Sequence, residues 1–129
     1  MNKNISDTHI ILKNIDIADI FSLFKAHRLS LTSEKVLQSE IADLLASKNI
    51  PFEREVSLSP GDCIDFLVGD IGIEVKLKGS AKAIYRQCAR YCKSDRIREI
   101  LLVTNRAMGL PREINAKPAY LLSLGVSWL

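Results

Sequence analysis

The sequence predicts an α/β domain: one mixed sheet of four to five strands flanked by helices, with elements in the order α-β-β-β-α-β. Three observations predict it. Two amphipathic helical patterns come first, three short apolar runs separated by turn signals follow, and a strongly basic helix then leads into a continuous apolar run at residues 100–104. A length of 129 residues fits one domain with its own core. A composition 47% hydrophobic and 26% charged is that of an ordinary globular chain.

Taken in order, residues 9–12 form a short apolar strand or turn. Residues 16–27 follow as an amphipathic helix, with Asp16 or a neighbour as cap and Ile17, Ile20, Phe21 and Phe24 at helical spacing. Thr32 and Ser33 offer caps for a second helix over 34–48, whose Val36, Leu37, Ile41, Leu44 and Leu45 make one apolar stripe. Residues 52–58 alternate as a strand and end at the turn Ser59-Pro60-Gly61-Asp62. Strands at 64–68 and 71–77 flank Gly69-Asp70, a two-residue hairpin loop. A helix at 80–94 and strands at 100–104 and 119–124 complete the set. Residues 105–118 are a connection or a gating loop. Trp128 packs the last segment down.

No apolar stretch is long enough for a membrane span, and no secretory signal is visible, so no membrane partner is expected. Three cysteines, Cys63, Cys88 and Cys92, are an odd count, which points to free thiols in a cytoplasmic protein rather than a disulfide frame. A zinc site is not expected either, because His9 and His27 lie far from the cysteines in sequence.

The charge is unevenly placed. From residue 76 to 98 there are eight lysines and arginines against one acid, Asp95, whereas the whole chain carries only +3. Such a block is an electrostatic footprint for a polyanion. Lys82, Arg86, Arg90 and Lys93 recur along one stripe of the expected helix, with Lys78 just before it. Phosphate contacts of this kind give affinity and position but not sequence specificity.

The hairpin carries the chemistry. With Gly69-Asp70 as the loop, Val68 pairs with Ile71, and Asp65 falls opposite Glu74. Glu74, Lys76 and Lys78 share one face; Ile73, Val75 and Leu77 share the other. Two directly opposed carboxylates destabilise a sheet, and a divalent cation between them is the simplest compensation. The competing reading is an Asp65–Lys76 ion pair with Glu74 in water.

Ile64-Asp65, followed by Glu74-Val75-Lys76, resembles the PD-(D/E)XK nuclease superfamily, the restriction-endonuclease-like fold. Proline is missing from the first motif, and Gly61-Asp62-Cys63-Ile64-Asp65 is similar to the G-x-x-x-D form of the recombination-exonuclease branch. Gln87-Cys88-Ala89-Arg90-Tyr91 resembles that branch's Q-x-x-x-Y element. Glu34-Lys35-Val36-Leu37-Gln38 resembles the helix start of virus-type replication-repair (VRR-NUC) nucleases. The motifs span residues 34–91, within an expected nuclease domain at 31–129. Residues 1–30 then form an N-terminal extension suited to pairing two subunits into a homodimer.

The resemblance implies a metal-dependent nuclease acting on DNA, with RNA not excluded. Asp65, Glu74 and the Val75 carbonyl would hold Mg²⁺ or Mn²⁺, with Glu34 as a further ligand and Lys76 activating water or stabilising the transition state. Glu40 competes with Glu34 for the helix position, and a first-turn Glu also serves simply to stabilise the helix dipole. Gln87 and Tyr91, one turn apart, either touch substrate and water or pack in the core beside Tyr85. The alternative function is a non-catalytic nucleic-acid-binding module, or a partner subunit on the same fold.

Overall fold

The computed structural model describes residues 15–125. The expected element at residues 9–12 and Trp128 lie outside that range. Nine elements follow in order: helices α1 (Ile17–Lys25) and α2 (Glu34–Ser47); strands β1 (Glu53–Ser59), β2 (Asp62–Val68) and β3 (Ile71–Lys76); helix α3 (Ala81–Tyr91); and strands β4 (Glu99–Thr104), β5 (Glu113–Ile114) and β6 (Lys117–Ser123).

Local chemistry sets the helix starts. Asp16 and Asp19 cap α1 reciprocally, each side chain accepting the other's backbone N–H. Ser33 caps α2 and Ser80 caps α3 by accepting an N–H three residues on. The loop before α2 is tied down by Glu40, whose carboxylate accepts the N–H and the hydroxyl of Ser30 at 2.7 and 2.6 Å.

The strands form one six-stranded mixed sheet in the order β1-β2-β3-β4-β6-β5. The expected count was four to five; the short β5, inside the 105–118 connection, adds one. Two residues carry too little periodicity to be read from sequence. β2 and β3 pair antiparallel across Gly69-Asp70 in the expected register, Val68 against Ile71. β3 then pairs parallel with β4, and β4 with β6, so these three strands end at the same edge of the sheet.

Helices cover both faces. On one, α1 and α2 bring Ile17, Ile20, Phe24, Leu37, Ile41 and Leu45 onto Phe66, Ile73, Val75 and Leu101. On the other, Ile84, Cys88 and Tyr91 of α3 pack on Ile64, Leu67, Ile100 and Leu102. Val36, expected in the α2 stripe, faces outward, and Tyr85, expected beside Tyr91 in the core, is exposed as well.

The α1 helix therefore belongs to the main core. Ile17, Ile20 and Phe24 are buried within this single chain, in one continuous cluster with α2 and the sheet, while Phe21 is half-buried at its margin. Truncating the fully buried Phe24 to alanine is expected to cost about 3–5 kcal/mol in urea unfolding. A cost below about 1 kcal/mol would make α1 a detachable extension after all.

Candidate active site

Three strands run side by side through the row Glu55, Asp65, Glu74, and there the ladder is interrupted. β1 bridges β2 at Arg54–Phe66 and Val56–Ile64 but skips the Glu55–Asp65 pair, and Glu55 takes a left-handed φ of 52°. On the other side the β2–β3 ladder stops at Phe66–Ile73 although β3 continues to Lys76. Asp65 is thus released from strand pairing on both flanks.

Side chains replace the lost ladder bonds. The Asp65 N–H donates to Glu74 Oε1 at 3.2 Å, and the Val75 N–H donates to Asp65 Oδ2 at 2.8 Å. Two strands exchange backbone donors for each other's carboxylates. Two residues on, the Leu77 N–H donates to Glu34 Oε2 at 2.8 Å, so the first residue of α2 is pinned to the end of β3. Glu34 thereby converges on the acid pair, while Glu40 is spent on Ser30 and lies outside the site.

Glu74 is only 2% exposed, which removes the reading in which it points to water. Its Oε2 meets the Lys76 ammonium at 3.5 Å, and the Tyr91 hydroxyl stands 3.1 Å away. That hydroxyl also lies 2.9 Å from the Cys63 carbonyl and accepts from the Gln87 amide at 2.6 Å. Tyr91 takes the packing alternative, fully buried in the α3 core, and its polar tip meets Glu74, while Gln87 is half-buried and bonds the Tyr91 hydroxyl.

Burial and mutual repulsion decide the charge state of the pair. Burial and the Asp65 carboxylate push Glu74 up to about 8, against the pull of Lys76, the Asp65 amide and Tyr91. Burial raises Asp65 as well, opposed by the Val75 amide, Glu74 and Lys76. Tyr91 is raised by burial and by Glu74 and stays a neutral hydroxyl. Cys88, at the back of the same face, is pushed up to about 12 by burial and is a neutral packing thiol, like Cys92.

Among the expected nucleic-acid contacts, Lys78, Lys82, Arg86 and Lys93 are exposed. Arg90 is not free: its Nε bonds Asp62 Oδ1 at 2.9 Å, and its guanidinium holds the Asp62 carboxyl below the usual range. That pair ties α3 to the start of β2 and braces the Cys63 carbonyl used by Tyr91. Spacing in the sequence pointed to neither the Asp62–Arg90 lock nor the Cys63 carbonyl, since each depends on a contact 28 residues away.

Among the described residues, no group of three or more His, Cys, Asp and Glu side chains is placed to hold a metal ion. The arrangement is a half-buried Asp65 adjacent to a buried Glu74, with Glu34 held nearby on a backbone N–H. Its donors are all oxygen, the ligand type a hard divalent cation takes, and a cation there would displace the proton that burial and mutual repulsion hold on the pair. Comparison with protein families, with curated proteins and with solved structures finds no match for this chain.

Because both acids titrate upward, the folded chain binds more protons than the unfolded one between the ordinary carboxylate range and about pH 8, so stability falls as pH rises through that window. Melting temperature measured in chelator is expected to drop from about pH 5 to pH 8, and Glu74→Gln is expected to flatten the profile. A wild-type profile that stays level would mean that the pair holds no extra proton.

Proposed function

We propose that this chain is a metal-dependent nuclease that hydrolyses phosphodiester bonds in DNA on a restriction-endonuclease-like core. The observation that carries the reading is the pairing of the half-buried Asp65 with the buried Glu74, with Lys76 on Glu74 and the exposed basic helix α3 next in sequence. A protein that only bound polyanions would gain nothing from two acids placed where phosphate must approach.

The residues divide the work. Asp65, Glu74 and the Val75 carbonyl would hold Mg²⁺ or Mn²⁺, with Glu34 positioned as a further ligand. When bound, such an ion supplies charge neutralisation and Lewis acidity at the scissile phosphate. Lys76 Nζ lies 3.5 Å from Glu74 Oε2, within reach of the acid pair, where it would activate the attacking water or stabilise the transition state. Tyr91 fixes the Glu74 carboxylate from behind, and Gln87 fixes Tyr91. Lys78, Lys82, Arg86 and Lys93 offer cations to the strand backbone, while Arg90 acts through Asp62 as a brace.

A plasmid and oligonucleotide cleavage assay with Mg²⁺ and Mn²⁺ tests this. Asp65→Ala, Glu74→Ala and Lys76→Ala are each expected to lower turnover about 100-fold or more. DNA binding should persist in the two acid variants, because each removes negative charge near phosphate. Cleavage by the acid variants at the wild-type rate would sink the assignment. Binding without any wild-type cleavage would favour a non-catalytic clamp or partner subunit.

A further inference from the structure

We infer that Arg106, at the carboxyl end of β4, forms a phosphate-binding subsite beside the acid pair and holds a backbone phosphate of the nucleic-acid strand being cut. The inference rests on the nuclease reading and adds a residue from a segment with no recognisable motif.

The parallel register places Glu74 beside Leu102 and Lys76 beside Thr104. Paired residues of adjacent strands share a face, so Thr104 lies about 4.8 Å across the sheet from Lys76, on the side covered by α3. Thr104 and Glu74 are the two buried polar or charged residues among the described residues. The Thr104 hydroxyl accepts the Arg106 N–H at 3.0 Å, closing a tight turn just past the strand. On the other side, the Thr104 carbonyl accepts the Leu124 N–H at 2.8 Å. The backbone from which Arg106 projects is therefore anchored within two residues of Lys76's strand neighbour.

Its side chain is uncommitted. Arg90, Arg96 and Arg98 are paired with Asp62, Glu53 and Asp70, whereas Arg106 is exposed and has no carboxylate partner among the described residues. Lys78 and the first turns of α3, with Lys82 and Arg86, leave the neighbouring carboxyl end of β3. Exposed cations thus follow the carboxyl ends of both β3 and β4, the end of the sheet at which open α/β folds take their ligands. A planar guanidinium on a fixed backbone suits two oxygens of one phosphate.

Fluorescence anisotropy with a labelled DNA duplex and its single strand, in chelator and across a salt series, tests the subsite without relying on turnover. Arg106→Ala is expected to bind about tenfold more weakly near 0.1 M salt, with the log–log salt slope shallower by about one. Arg106→Lys should keep the wild-type slope. Arg112→Ala serves as the control and should bind as wild type, because the Arg112 carbonyl accepts the Ala119 N–H and Ala119 pairs with Ile100 at the opposite end of β4. Unchanged wild-type melting confirms that each variant is folded. A wild-type slope in Arg106→Ala overturns the subsite and leaves the nuclease reading standing. Wild-type protein that binds neither duplex nor single strand overturns both.

Discussion

The site depends on a break in strand pairing. At Asp65 and Glu74 two antiparallel strands stop exchanging backbone bonds and exchange side-chain bonds instead, each carboxylate taking an amide of the opposite strand. A regular ladder would leave these carboxylates opposed and without donors, at a cost the sheet could not carry. The break supplies the donors. It also opens β3 beyond Ile73, so that Glu34 from α2 reaches the Leu77 amide. Backbone irregularity and acid clustering are one feature seen from two sides, and the left-handed φ at Glu55 marks the same row on β1.

The supports of Glu74 come from separate parts of the chain. Lys76 lies two residues along the same strand, Asp65 on the neighbouring strand, and Tyr91 on the helix above. Tyr91 works because its ring is fully buried in the α3 core while its hydroxyl emerges at the carboxylate. The brace continues outward through the Cys63 carbonyl and through the Asp62–Arg90 pair, which hold the start of β2 against α3. One of the two cores therefore serves as the wall of the site, and the position of Glu74 is coupled to the packing of Ile84 and Cys88.

The opposite core sets the position of Glu34. Leu37, Ile41 and Leu45 seat α2 on the sheet, α1 covers the same face, and Glu40 fixes the loop between the two helices through Ser30. The helix start that presents Glu34 is thus held by apolar packing along its length and by the Ser33 cap at its end. A carboxylate in the first helical turn, ordinarily a dipole-stabilising residue, is here fixed against a strand end.

The α/β class, the helix starts, the hairpin register next to its loop and the placing of Asp65 across from Glu74 are legible in the residues alone, although the backbone ladder itself ends one pair earlier, at Phe66 and Ile73. These follow from local rules: capping side chains, period-two and period-3.6 apolar spacing, and a Gly-Asp loop whose length fixes every partner in the hairpin. Only the tertiary structure shows what each helix carboxylate meets: Glu34 accepts the Leu77 amide at the end of β3, whereas Glu40 accepts from Ser30 in the loop before α2. It paired Arg90 with Asp62, turned Val36 and Tyr85 outward, and buried Ile17, Ile20 and Phe24 inside the chain. It also placed Thr104 and Arg106 beside Lys76 through a parallel register formed across a 22-residue crossover between β3 and β4. Burial and long-range pairing depend on which surfaces meet, and spacing along one element does not record that.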